Sequence, residues 1–240
     1  MIAYRHILGV FAIAAFFTTG CANPSSNRLE EMPSFDVPPQ IIYRIDDQRF
    51  VSLEDYKHCY FGTTYYNDTR QGIRTKFGRG GGIASYRGRL INADPTGQNI
   101  VIPSSYPPNA ACPDKGCNIA FIYSTDAGRT FLSGGYYMRD SPNPFRDSKD
   151  YIVAATTDRI YIARKWRTDD YYVTQYPLAP GIDLRPYRHG EPPRPEVKTT
   201  VRGERFSASQ RPNYLDGLRT PSGQEYVSCD DSIRPANVSQ

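Results

Sequence analysis

Beyond residue 40, apolar and aromatic positions come in short runs that are separated by turn residues such as Asp, Asn, Gly and Thr. β-branched and aromatic residues in short runs between turn signals are typical of strands. No helical period is sustained over three turns, and the best helix candidate is a single turn at 52–56, capped by Ser52. The pattern therefore predicts an all-β domain, with strands at residues 41–45, 49–51, 63–66, 72–77, 99–102, 151–155 and 159–163.

The pattern changes in the segment 177–223, which contains eight prolines and little apolar alternation. Proline removes a backbone donor and fixes φ, so much of this segment is expected to be extended coil that wraps around the sheets. Two candidate edge strands lie within it, at 197–201 and 204–207. Residues 224–228 predict a last strand, which the disulfide cysteine Cys229 attaches to the rest of the domain.

One phrase, Y-S-T-D-A-G-R-T-F at 123–131, carries a sharper signal. The order S-x-D-x-G-x-T-F resembles the Asp-box of sialidase-type β-propeller blades, carried by Ser124, Asp126, Gly128, Thr130 and Phe131. The physical chemistry of a turn explains these residue types. The Asp carboxylate and the Ser and Thr hydroxyls can form hydrogen bonds within the turn, and glycine tolerates positive φ. The resemblance implies propeller-like blades, and a two-sheet domain is the alternative, since the box occurs once. In those propellers the box lies away from the catalytic centre, so it predicts a hairpin turn.

The first twenty residues predict a secretory signal peptide. A basic start at Arg5 precedes an apolar run over 7–17, which is too short to span a bilayer as a stable helix. Gly20 before Cys21 resembles a bacterial lipobox, although Thr18 stands where leucine is usual. This pattern favours a lipidated Cys21 over an ordinary cleaved signal.

The expected mature protein is a lipid-anchored tether at 21–39 followed by one domain at 40–240. The tether contains four prolines and no apolar periodicity. Ala22, rather than Asp, follows the cysteine. By resemblance to enterobacterial lipoproteins, this indicates the outer membrane, facing the periplasm.

Four cysteines remain for the domain, and an oxidising periplasm favours two disulfides. Cys112 and Cys117 bracket a turn sequence, so we predict that they pair locally. Cys59 then pairs with Cys229 and ties the start of the domain to its end. A zinc site fits the spacing poorly, and the sequence predicts no metal and no cofactor.

Charge and motif content exclude several function classes. Without residues 1–20, the 29 Lys and Arg lose Arg5, which leaves 28 against 25 Asp and Glu, scattered along the chain. A nucleic-acid partner is not expected, because no basic stripe with aromatic platforms is present. His58 and His189 lie in structural or solvated contexts, and no G-x-S-x-G elbow accompanies them. The sequence therefore predicts a binding protein rather than an enzyme.

A series of phrases follows one another over residues 40–163: Q-I-I-Y-R-I-D-D-Q-R-F, D-Y-K-H-C, Y-Y-N-D-T-R-Q-G-I-R-T, D-P-T-G-Q-N-I-V-I-P-S-S and C-N-I-A-F-I-Y-S-T-D-A-G-R-T-F. Their order resembles the type VI secretion immunity lipoproteins that are encoded beside phospholipase effectors. The resemblance implies a protein that binds a lipase toxin in the periplasm and blocks it. A glycan-binding or glycan-cleaving envelope lipoprotein and a purely structural lipoprotein are the competing hypotheses.

Tyr, Trp and Arg most often anchor protein interfaces, and they co-occur in two phrases of the chain. The first phrase is 136–139 and the second is 164–167 with the tyrosines that follow it. Sheet packing is the alternative role for each residue taken singly. The candidate contact residues are Tyr136, Tyr137, Arg139, Trp166, Arg167, Tyr171 and Tyr172.

Overall fold

Twelve β-strands in three sheets make up the computed structural model, which describes residues 34–80, 82–168, 170–185 and 203–236. Strands account for 44% and helices for 8% of the structure, so the all-β prediction is confirmed. Within these residues, no helix is long and apolar enough to cross a bilayer. The predicted signal peptide, Cys21, most of the tether and the candidate strand at 197–201 lie outside the described residues.

The first sheet is a four-stranded antiparallel meander in the order β1-β2-β3-β4. Alternation of side chains along a strand sends one set of residues into the core and the other outward. Ile42, Val51, Leu53 and Tyr66 form part of the inward set and are fully buried. The strands are β1 (Gln40–Arg44), β2 (Arg49–His58), β3 (Phe61–Asp68) and β4 (Ile73–Arg79).

The second sheet has five strands in the order β12-β11-β10-β9-β5, and the third has three in the order β6-β7-β8. All neighbours are antiparallel except β5 and β9, which run parallel. Three separate sheets differ from the two-sheet alternative. Each contains an antiparallel meander of consecutive strands, namely β1–β4, β9–β12 and β6–β8, and the propeller-like arrangement stays a prediction. The strands are β5 (Arg89–Asn92), β6 (Ile100–Pro103), β7 (Gly116–Ser124), β8 (Leu132–Arg139), β9 (Tyr151–Ala155), β10 (Arg159–Arg167), β11 (Asp170–Pro177) and β12 (Glu204–Ser207).

In the described part of the chain, helical structure consists of short segments between strands and directly after the last one. These are α1 (Pro144–Asp147) and the 3₁₀ turns Gly82–Ser85, Ser148–Asp150 and Ala208–Gln210. The predicted helical turn at 52–56 is wrong, because these residues lie within β2. The Ser52 hydroxyl donates to Glu54 instead of capping a helix, and Asp55, at φ 48°, sits where the β2–β3 register shifts. The polar residues that resembled a helix cap therefore lie beside a β-bulge in a strand.

Buried tyrosines fill much of the core between the sheets. Tyr43, Tyr56, Tyr66 and Tyr86 are fully buried, and burial raises the pKa of Tyr43 to about 12. The second sheet is also packed on its other face, where a smaller cluster of Ala163, Val173 and Phe206 is buried. Both faces of this sheet are therefore held in place.

The C-terminal segment 220–229, here called the strap, runs between the first and second sheets. The Ser228 amide donates to Ile42 of β1, while the Leu90 amide of β5 donates to Glu225. The hydroxyls of Tyr43 and Thr220 share a buried hydrogen bond of 2.9 Å. The strap bonds to two different sheets and belongs to neither, so the predicted regular strand at 224–228 is wrong.

Both predicted disulfides are present. Cys59 and Cys229 have Cα atoms 5.9 Å apart and join the β2–β3 turn to the end of the strap. Cys112 and Cys117, with Cα atoms 5.7 Å apart, close the loop before β7. The first bond therefore fastens the strap, and the second confines a local turn.

Candidate partner interface

The turn between β7 and β8 has the predicted hydrogen bonds. The Asp126 carboxylate accepts bonds from the Thr130 amide and hydroxyl at 2.9 and 2.6 Å and from the Ser124 hydroxyl at 2.7 Å. Gly128 has φ 85° and donates its amide to the Ser124 hydroxyl at 2.8 Å. The polar groups of the motif are therefore used to build the turn.

Neighbouring turns lock this turn in place. The Ala127 amide donates to Gln98, and the Thr75 hydroxyl donates to the Gly128 carbonyl at 3.2 Å. Phe131 packs against Phe77 with ring centroids 4.8 Å apart. These contacts give the motif a structural role at the end of a hairpin.

We expect Asp126→Asn to lower the free energy of unfolding by about 1 kcal/mol at neutral pH. Burial alone would raise the pKa of Asp126, but the hydrogen bonds from Thr130 and Ser124 outweigh it and lower the pKa. A lowered pKa adds stability above the ordinary carboxyl pKa of about 4, and that stability is lost as the pH falls through the folded-state value. Urea unfolding at pH 7 and pH 3 measures this difference.

Asp47→Asn is the matched control, since Asp47 is exposed and accepts no hydrogen bond within the described part of the chain. Its stability should match that of the unchanged protein at both pH values. An Asp126→Asn deficit that persists undiminished at pH 3 would contradict the ionic origin of the effect.

A shallow pocket of about 310 Å³ lies between the turns at the same end of the hairpins. Its Asp68 carboxylate accepts the amides of Arg70 and Gln71, and Asp46 is paired with Arg49. Across the residues with described positions, no cluster of three His, Cys, Asp or Glu residues could hold a metal ion. The pocket is therefore lined by groups that stabilise its own turns.

The predicted contact residues on β8 separate onto two faces. Tyr136 is only 7% exposed, and its ring packs 5.4 Å from that of Tyr151, so its prediction as a contact residue is wrong. Tyr137 and Arg139 point outward, and the Tyr137 hydroxyl donates to the Lys115 carbonyl at 2.8 Å. The alternation of a strand buries one tyrosine and exposes its neighbour.

The other candidates lie at the end of the β10–β11 hairpin. Trp166 is 57% exposed and Tyr172 47% exposed, while Arg167 is also exposed. Tyr171 is half-buried against the smaller cluster on the second sheet. Trp166 has no cross-strand partner, because the ladder is interrupted between Lys165 and Arg167.

Strand register adds two basic residues to this hairpin end. Arg164 lies directly opposite Tyr172, and Arg205 of β12 lies opposite Thr174, two residues further along β11. On antiparallel strands, such direct and diagonal neighbours share a face. We call this hairpin end the aromatic–basic end, which consists of Arg164, Lys165, Trp166, Arg167, Tyr172 and Arg205. Within it, Lys165 lies opposite Tyr171 and therefore projects from the other face of the sheet.

Asp140 connects β8 to the aromatic–basic end. Its carboxylate lies 4.0 Å from the Arg164 guanidinium, at the limit of an ion pair. Arg139 immediately precedes it and is exposed. The structure thus brings the end of β8 close to Arg164 of the hairpin. Sequence reasoning missed Arg205, because its proximity depends on the pairing of β12 with β11.

The comparison with protein families identifies residues 35–164 as matching the T6SS Tli3 immunity protein family. A search of curated proteins found no match. The matched region extends from the residues before β1 into β10 and covers more than half of the 240 residues. The chain therefore belongs to the Tli3 family of type VI secretion immunity proteins.

Proposed function

We propose that this protein binds and inhibits a type VI secretion phospholipase in the periplasm. Membership of the immunity family supports a cognate effector as the partner. The phrases over residues 40–163 resemble immunity lipoproteins encoded beside phospholipases, and this resemblance supports the lipase as the target. Inhibition by binding requires only a complementary surface of roughly 800 Å² on each partner, and no catalytic group.

The exposed aromatic–basic end is the observation that carries the proposed interface. A large exposed aromatic side chain loses contact with water when a partner binds, and Trp, Tyr and Arg dominate the energetic centres of interfaces. Trp166 and Tyr172 are exposed on a hairpin whose strand β10 continues into the core at Ile160 and Ile162. The scaffold therefore presents these side chains without first having to order them, which lowers the entropic cost of binding.

Trp166→Ala and Tyr172→Ala should each weaken inhibition of the lipase encoded next to this gene by roughly tenfold or more. The reason is the loss of apolar contact area at the centre of the interface. Tyr226→Ala is the matched control, because Tyr226 is 58% exposed but lies on the strap, beside the opposite edge strand of the second sheet. The measurement is lipase activity titrated with each purified variant.

Equal inhibition by all three variants would reject the aromatic–basic end as the interface. Failure of the unchanged protein to bind the neighbouring lipase would reject the proposed target itself. Hydrolysis of a glycoside by the purified protein alone would instead support the glycan-cleaving alternative.

We further propose that a lipid on Cys21 holds the protein at the outer membrane, facing the periplasm. Two acyl chains give a durable anchor, because each buried CH₂ contributes about 0.8 kcal/mol. Cys21→Ser should move the protein from the membrane fraction to the soluble periplasmic fraction, with both domain disulfides intact. Fractionation followed by immunoblotting measures this change, and sedimentation of the variant with the outer membrane would contradict lipidation at Cys21.

A further inference from the structure

Among the residues that the structure describes, the cations of the aromatic–basic end have almost no carboxylate partner. Lys165 and Arg167 form no hydrogen bond or ion pair with any residue that the structure describes. Arg164 has only the distant Asp140, and Arg205 likewise lacks an ion pair among the described residues. A partner that covers these groups must remove their hydration, which is unfavourable unless it supplies negative charge.

Asp170, a described carboxylate at the start of β11, is already engaged by hydrogen bonds. The Ser207 and Ser209 hydroxyls and the Ser209 amide donate hydrogen bonds to Asp170. These bonds, above all that from Ser207, lower the pKa of Asp170 and hold the start of β11 against β12. Asp170 therefore fixes the hairpin end and forms no ion pair with the described cations there.

The extent of the family match adds a second observation. It ends at Arg164, immediately before Lys165, Trp166 and Arg167. Tyr172 and Arg205 also follow the matched region. Most of the aromatic–basic end thus lies in the part of this chain that follows the matched region.

We propose that the aromatic–basic end selects the cognate effector by binding an acidic patch on its surface, with a recess that receives the Trp166 indole. This inference rests on the proposed function and adds the chemistry of the partner. Complementary charge steers the encounter and penalises effectors with basic or neutral surfaces, while the indole supplies apolar burial. Selection therefore combines one anchoring side chain with a surrounding set of cations.

Charge variants test the acidic partner directly. Arg167→Gln with Arg205→Gln should raise the inhibitor concentration needed for half-inhibition of the neighbouring lipase about tenfold at 50 mM NaCl, and the corresponding double Glu variant should raise it further. The differences should shrink at 300 mM NaCl, because salt screens exposed charges. Arg70→Glu with Lys76→Glu is the matched control, since it makes the same change in net charge on the first sheet and should leave inhibition unchanged.

The outcomes separate this inference from the proposed function. If the double Glu variant inhibits like the unchanged protein while Trp166→Ala does not, the interface stands and the acidic partner is wrong. If the lipase is not bound by the unchanged protein at any salt concentration, the proposed function fails first.

Trp166 is the single tryptophan of the chain and reports on its own surroundings. In the full-length Cys21→Ser protein without a partner, its fluorescence should be readily quenched by acrylamide. Strong protection in the free protein would show that the chain covers this surface itself, which would overturn the inference. A blue shift with phosphatidylglycerol vesicles, combined with unchanged lipase inhibition by the charge variants, would assign the surface to the membrane instead.

Discussion

Replacing both Cys59 and Cys229 with serine should lower the free energy of unfolding by about 5 kcal/mol, because this disulfide closes a very long loop. The two cysteines are 170 residues apart in sequence. Without the bond, the unfolded chain gains the conformational freedom of that loop. The folded protein also loses the covalent link that holds the strap beside β1.

Urea unfolding of the oxidised double variant measures this loss, and the expected result is a much lower midpoint. Replacing Cys112 and Cys117 with serine is the matched control. The short loop between them, with a sequence separation of 5, predicts a smaller loss of about 2 kcal/mol. Equal losses in the two double variants would contradict the loop-length explanation.

The local features of this fold could be predicted from sequence because they depend on nearby residues. The β-rich runs became strands, and the interval 204–207 coincides with β12. The turn at 123–131 formed because its carboxylate, hydroxyls and glycine are all provided within nine residues. Both disulfides followed from a small number of possible pairings.

Long-range arrangement could not be predicted in the same way. The parallel pairing of β5 with β9 joins strands separated by nearly sixty residues, and no local pattern specifies it. Tyr136 and Tyr137 are identical in type, yet the face that each occupies depends on which side of β8 meets the core. The strap illustrates the same limit, since residues 224–228 have the pattern of a strand but their backbone bonds go to two different sheets without regular pairing.

The candidate interface contains both kinds of feature, those that local sequence predicts and those that depend on long-range strand pairing. Aromatic and basic composition identified Trp166, Arg167 and Tyr172, because interface preference is a property of residue type. Composition did not exclude Tyr136, which is buried, and did not include Arg205, which reaches the surface through strand pairing. The sequence therefore predicts which residue types can form a binding surface. The register of the sheet decides which of these residues lie together on the exposed face.

Gly116→Ala should lower the free energy of unfolding by about 3–5 kcal/mol, since two penalties combine at the start of β7. Gly116 has φ 97°, which is strained for any residue with a side chain. An added Cβ would also lie 1.8 Å from the Met138 carbonyl oxygen, and backbone atoms of a paired strand cannot rotate away. Relief of this clash requires β7 to separate from β8 at the point where Cys117 closes its disulfide loop. Thermal and urea unfolding measure the loss.

Gly181→Ala isolates the first penalty, because Gly181 has φ 73° and no atom within 4 Å of an added Cβ. It should cost only about 1 kcal/mol. A Gly116→Ala loss no larger than that of Gly181→Ala would mean that β8 can move away from β7 at little cost. Because Asp140 follows β8 and approaches Arg164, such mobility would also loosen the link between β8 and the aromatic–basic end. A large loss at Gly116 would instead support a rigid end of β8 next to the proposed interface.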